Sequence, residues 1–244
     1  MRYAIISDIH GNLEALETVL AHIEQEGVEQ VLCLGDVVGY NANPKECLDL
    51  VRAHCAAVIQ GNHERMVLGE DLDLVHPSTR HAIEWTRQQL DAEDLAYIAG
   101  MPERLEWQDD ILLVHGSPRD RDEYILTAEA LRENFLYLQE HFPRTRMCLF
   151  GHSHFPMIVA VPQLHAPLHE TTTVKLEPGA VSLVNPGSVG QPRDGCPLAS
   201  FAIYDTDDPS VTVVRCAYPI VKAQQKVRAA GLHERIALRL GLGR

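Results

Sequence analysis

The sequence predicts a layered α/β sandwich, and three observations carry that prediction. Short apolar runs that stop at or near a glycine recur through the first two thirds of the chain, as buried strands of a parallel or mixed sheet do. Between them, apolar residues recur at helical spacing. The last third turns to strand-like runs joined by segments rich in Gly, Pro and Asp, a texture that reads as antiparallel pairing. Two strand sets with helices outside them make layers. At 244 residues, 45% of them hydrophobic, the chain suits one large domain, with or without a small cap.

Tyr3-Ala4-Ile5-Ile6 reads as the first strand. Leu13, Leu16, Val19, Leu20 and Ile23 then mark a helix, with Asn12 a fair N-cap and Gly27 the stop. Val31 to Leu34 is the second strand, so the opening is a βαβ unit. A turn-rich loop leads to a short helix burying Cys47, Leu48 and Val51, and Ala56 to Ile59 is a third strand. From Arg65 to about Arg104 charges are dense and the strand rhythm breaks; Pro77 to Leu90 and Asp91 to Ala99 read as helices. This stretch, 65–104, is expected to be a helical insertion within the single domain 1–244, lying over the site as a cap or beside it. Strands resume at Ile111 to Val114, Met147 to Phe150 and Met157 to Val161, with a helix around Ala128 to Leu138. Val181 to Val184, Ala199 to Tyr204 and Val211 to Arg215 look antiparallel. Lys222 to Ala230 and His233 to Leu240 are closing helices.

Charge and cysteine usage narrow the function. With 34 acidic and 21 basic residues the net charge is −13, which argues against a broad grip on nucleic acid and so against a nuclease, while a small anion held by local positive charge is allowed. The six cysteines show no Cys-x-x-Cys spacing, and Cys33 and Cys148 fall inside apolar runs, as buried thiols in a reducing compartment do. The first strand begins within two residues of the N-terminus, and no apolar run approaches ~18 residues. A soluble cytoplasmic protein is expected, with no membrane partner; its oligomeric state is not legible.

Five of the apolar runs deliver an Asp, Asn or His at their ends: Asp8 and His10, Asp36, Asn62 and His63, His115, and His152 with His154. A lone histidine after an apolar run is more often structural. Five such loops in order, at the strand ends where α/β proteins place their sites, are not. Read as extended segments, Asp8 and His10 share a face, as do His152 and His154, and each pair can reach one metal. Asp36, ending the central strand, is the natural bridge between two ions. Two carboxylates against two divalent ions leave a formal +2, which a bridging hydroxide lowers to +1; such a centre attracts phosphate and supplies a nucleophile at neutral pH. Imidazole with carboxylate and amide donors suits Mn, Fe, Co, Ni or Zn better than Mg or Ca, and manganese is the first expectation.

Asp8-x-His10, Gly35-Asp36, Gly61-Asn62-His63-Glu64, His115 and Gly151-His152-Ser153-His154 together resemble the signature of the calcineurin-like metallophosphoesterases, over residues 1–154. Asn185-Pro186-Gly187-Ser188-Val189 and the strands after it resemble the tail of the small bacterial and archaeal phosphodiesterase branch. The resemblance implies a four-layer α/β/β/α sandwich of two mixed sheets flanked by helices. It implies one ion bound by Asp8, His10, Asp36 and His154, the other by Asp36, Asn62, His115 and His152, and His63 near the leaving group. The expected activity is hydrolysis of a small phosphodiester by a metal-bridging hydroxide.

One departure bears on substrate. Protein phosphatases and dinucleoside polyphosphate hydrolases of the superfamily carry an arginine shortly after the Gly-Asp, where this chain reads Val37-Val38-Gly39-Tyr40-Asn41. Both activities stay as alternatives, and Arg65 or Arg193 is the candidate replacement for the missing phosphate clamp. A non-catalytic protein-binding scaffold is the alternative of another class; it is expected to lose ligands, and here every ligand position is filled.

Overall fold

The computed structural model describes residues 1–160, 163–166, 168–177 and 179–244. The chain lays down β1 (Arg2–Ile6), α1 (Leu13–Gln25), β2 (Gln30–Cys33), α2 (Pro44–His54) and β3 (Cys55–Val58). The Asn12 side chain caps α1 by accepting from the Ala15 amide at 3.2 Å, and Pro44 opens α2, where its missing N–H costs nothing. Three helices follow, α3 (Asn62–Leu68), α4 (Pro77–Gln89) and α5 (Ala92–Ala99), then β4 (Arg104–Trp107), β5 (Ile111–Val114) and α6 (Ala128–His141). The remainder is β6 (Met147–Leu149), β7 (Met157–Ala160), β8 (Gln163–His165), β9 (Thr172–Lys175), β10 (Ser182–Asn185), β11 (Ala199–Asp205), β12 (Ser210–Cys216), α7 (Ile220–Ala229) and α8 (Glu234–Leu240).

The strands form two mixed six-stranded sheets, ordered β3-β2-β1-β11-β12-β9 and β4-β5-β6-β10-β7-β8. β1 runs parallel to β2 and antiparallel to β11. Alternation along each strand builds the layers. Tyr3, Ile5, Leu32 and Ala202 of the first sheet face Leu113, Leu149, Ile158 and Val184 of the second. Ala4, Ile6, Val31, Cys33 and Phe201 point the other way, into a core shared with Leu16 and Val19 of α1 and Leu48 and Val51 of α2. On the far side of the second sheet, Leu112, Cys148 and Leu183 meet Leu131 and Leu138 of α6. The result is the four-layer α/β/β/α sandwich that the resemblance implies. Among the described residues no helix is long and apolar enough to cross a membrane.

The structure departs from the sequence reading in three places. The last third is not one antiparallel unit: β11 and β12 join the first sheet, whereas β10 joins the second, parallel to β6 and antiparallel to β7. β4, β8 and β9 are strands that the reading missed, because each is largely exposed and offers little apolar signal. The end of the expected strand at Val161 lies outside the described residues. The segment 65–104 supplies much of the outer helical layer, with Met66, Val67, Ile83, Ile98 and Met101 in the same core as α1 and α2, and Ala82 and Trp85 packed with Val227, Leu232 and Ile236 at the C-terminal helices. Arg104 itself begins β4.

Candidate metal centre

The loops leaving β1, β2, β5 and β6 and the start of α3 meet at one end of the sandwich, where the two sheets face each other. Asp8, His10, Asp36 and His154 bring one donor atom each to a common spot, and Asp36, His115 and His152 do the same beside it; within each group the atoms lie within 4.8 Å of one another. Asp36 belongs to both. Its Oδ2 is 3.5 Å from His10 Nε2 and 3.4 Å from His115 Nε2, while His154 Nε2 is 3.2 Å from Asp8 Oδ1. Asn62 Oδ1 completes the second group, 3.0 Å from His115 Nε2. All seven expected ligands are therefore brought together.

Their backbones are not extended, and here the sequence reading is corrected. Asp8, His10, Asp36, His152 and His154 all have φ between 50 and 63°, the left-handed region, which costs a non-glycine residue on the order of 1 to 3 kcal/mol. Inter-loop hydrogen bonds hold them there: the Asp8 amide donates to Gly35 O at 3.1 Å, His10 to Asp36 O at 2.8 Å and Gly11 to Val37 O at 2.8 Å. Asn62 and His63 are likewise not on an extended segment; they form the first turn of α3. Glu64, three residues past the N-cap Gly61, accepts from the amides of Asp36, Val37, Val38 and Gly61 at 2.7 to 3.2 Å, so one buried carboxylate fixes both the helix start and the Asp36 loop. Gly61 has to be glycine, since a Cβ there would strike the Asp36 carboxylate.

The hydrogen bonds behind the ligands orient their lone pairs. Imidazole Nδ1 meets a backbone oxygen in His10 (Val38, 3.3 Å), His115 (Leu34, 2.7 Å) and His154 (Gln191, 2.6 Å), which turns Nε2 toward the centre; His152 is reversed, its Nε2 meeting Asp122 O at 3.1 Å. Burial pushes the pKa of His10 and His154 well down and that of His152 to about 3, keeping these rings in the neutral form that binds metal. Asp8 is raised to about 7, first by burial, and its Oδ1 has no hydrogen-bond donor. For His115 burial opposes protonation, but Asp36, Asp8 and the Leu34 carbonyl together outweigh it and lift the pKa to about 9. A proton on His115 thus stands where the charge of a cation would, between the Asp36 and Asn62 oxygens. Convergent lone pairs, an undonated carboxylate oxygen and mixed N/O donors fit divalent transition metals.

A model of the calcineurin-like phosphoesterase superfamily domain matches residues 1–209. The chain belongs to this superfamily. It is 38% identical to an uncharacterized protein of Methanocaldococcus jannaschii, over 99% of this chain and 98% of that one. A metallophosphoesterase from Sphaerobacter thermophilus has the same identity and superposes with a TM-score of 0.88, covering 100% of this chain and 99% of its own. Phosphodiesterase YfcE of Escherichia coli is 27% identical over 86% of this chain and 91% of its length. The protein is thus a phosphoric ester hydrolase with Asp/His clusters able to bind metal.

Around the centre of this phosphoesterase lie residues of other kinds. His63 belongs to neither donor group: its ring sits 4.5 Å from that of His10 and 4.4 Å from that of Tyr40, its amide donates to Asp36 Oδ1 at 2.8 Å, and its Nδ1 is buried without a partner. Gly39 leaves room for that ring, because any Cβ would overlap it. Burial lowers the His63 pKa to about 4. On the opposite side, the half-exposed Tyr124 ring lies 4.1 Å from His152. The two candidate clamps separate. Arg65 is buried and paired with Asp122 and Glu70, which makes it a strut for the loop behind His152; as a phosphate clamp it is corrected. Arg193 pairs with no carboxylate among the described residues, its Nη2 donating to Gln191 Oε1 at 3.3 Å, and its charge lowers the pKa of His154, His10, His63 and His152. Glu64 and Tyr40 were missed by sequence reasoning. Gly61-x-x-Glu64 carried a capping-box signal; Tyr40 carried none.

Proposed function

We propose that the protein is a dinuclear-metal phosphodiesterase acting on small phosphodiesters. One observation carries the reading: the Asp36 carboxylate is common to both donor groups, with a histidine nitrogen of each within 3.5 Å. Asp8, His10, Asp36 and His154 would hold one ion, and Asp36, Asn62, His115 and His152 the other, manganese being the first candidate. When bound, two such ions polarise a phosphoryl group and lower the pKa of water enough to provide a nucleophile at neutral pH. Arg193 then orients the phosphate from the side of His154. His63 gives its proton to the departing oxygen. Burial keeps that ring neutral in the resting site, and the incoming anion raises its proton affinity, so the acid is charged only once substrate is in place.

Manganese-supplemented protein should hydrolyse bis-p-nitrophenyl phosphate, and a chelator should abolish the reaction; no turnover would favour a scaffold instead. His63→Ala should keep both metals yet lose ~10² to 10⁴-fold in kcat on an alkyl diester, where the leaving alkoxide needs a proton, and far less on the p-nitrophenyl one. An equal loss on both would assign His63 to positioning, and loss of metal would make it a ligand.

A further inference from the structure

Tyr124 stands apart from the other aromatic side chains. Every other Phe, Trp and Tyr is buried or half-buried, whereas Tyr124 is 48% exposed. A single exposed apolar residue is ordinary and needs no ligand to explain it. What singles this ring out is its neighbour. It lies on the His152 imidazole, with 4.1 Å between centroids and a tilt of 33°, so it covers a donor of the second group and leaves the rest of its surface to solvent.

The backbone that carries the ring is fixed on both sides. Before it, Asp122 O meets His152 Nε2 at 3.1 Å, and the Asp122 carboxylate is paired with the buried Arg65. The Glu123 carboxylate accepts from Ser117 Oγ at 2.5 Å and from Asn134 Nδ2 at 3.0 Å. After it, Ile125 is fully buried in a cluster with Val114, Leu131 and Leu138. Tyr124 therefore has only its own two χ angles left to settle, and a group that stacks on it meets a small ordering cost. Its place and its chemistry then narrow what that group is. A phosphoryl group drawn to the two donor groups has His152, and so Tyr124, beside it. A phenol face takes a flat aromatic ring better than an aliphatic chain, because offset stacking adds to the area buried. Among phosphodiesters the organic group that carries such a ring is a nucleoside, whose base stands one sugar away from the phosphate.

We infer that Tyr124 is a stacking platform for a nucleobase, and that the physiological substrate is a small phosphodiester of a nucleoside. The inference rests on the phosphodiesterase reading above, and the test separates the two. Thymidine 5′-(p-nitrophenyl phosphate) and the corresponding diester of 1,2-dideoxyribose, which lacks the base, share scissile bond, sugar and leaving group. At matched manganese content the wild type should prefer the nucleoside by roughly tenfold in kcat/KM, through KM. The ratio of the two substrates is taken within each variant, so a change common to both cancels. Tyr124→Phe and Tyr124→Trp keep a ring and should keep the preference; Tyr124→Leu, apolar but without a ring, should lose most of it. Calorimetric Kd values for thymidine 5′-monophosphate and 1,2-dideoxyribose 5-phosphate give the same comparison without turnover. A wild type without preference in both measurements, a preference that survives in Tyr124→Leu, or one lost equally in Tyr124→Phe overturns the platform, and turnover of both diesters then leaves the diesterase reading standing. Base-selective binding lost in Tyr124→Leu while neither diester is hydrolysed upholds the platform and sinks the diesterase reading.

Discussion

The two donor groups differ in how firmly they are closed. Asp8, His10, Asp36 and His154 are all essentially inaccessible, and every one of them stands on left-handed backbone held by neighbouring loops. In the other group Asp36 is shared and His152 has positive φ as well, but His115 directly follows the regular strand β5, Asn62 is half-buried on α3, and the His152 ring packs against the half-exposed Tyr124. The first group is thus closed by the fold at a cost in strain, whereas the second comes nearer the surface through Asn62 and Tyr124. Equal ligand chemistry does not make equal sites. The difference comes from Asn62 and His115, the two donors carried by a helix start and a strand end.

The largest test of this contrast is the residue common to both halves. Asp36→Asn should lose at least one metal per chain and about 10³-fold or more in kcat, since several kcal/mol of charge stabilisation go with the ion. Two metals with normal turnover in that variant, by elemental analysis and kinetics, would remove Asp36 from the bridge. A smaller effect should separate the halves. His154→Ala and His152→Ala are each expected to weaken metal retention by at least 10- to 100-fold, but His154→Ala should lower Tm more, because it leaves a cavity in a fully closed part of the fold, whereas His152, beside the half-exposed Tyr124, leaves a site that can relax. Equal losses of Tm would erase the distinction. The smallest effect is electrostatic. The His115 pKa, raised to about 9, lies above its unfolded value, so its contribution to stability is full below pH ~6.5 and disappears as pH rises through 9. Chelated protein should therefore lose several degrees of Tm between pH 6.5 and 9, and His115→Asn should flatten that slope. A slope unchanged in the variant would assign it to another group.

What the sequence made legible follows the same division. Each ligand could be found because it terminates an apolar run, a signal set by strand burial. How the ligands point could not be read, because the positive φ of Asp8, His10 and Asp36 is imposed by hydrogen bonds between loops some 28 residues apart, not by local preference. The start of α3 was hidden by its length of 7 residues, although Glu64 marked it. β4, β8 and β9 escaped because edge strands facing water need few apolar residues.

The backing of the Asp8 loop has a consequence for the order of assembly. Val189 N donates to Ser7 O, Gly190 N to Asp8 O, and Ser188 Oγ to Asp8 O, contacts that join the first loop of the chain to one made some 180 residues later. Such pairings close late, because a long stretch of chain has to be ordered before they form. During synthesis Asp8, His10 and Asp36 emerge early, yet they lack His154 and the hydrogen bonds that secure the Ser7 and Asp8 carbonyls until most of the chain has been made. The full donor set therefore comes together only in a nearly finished fold.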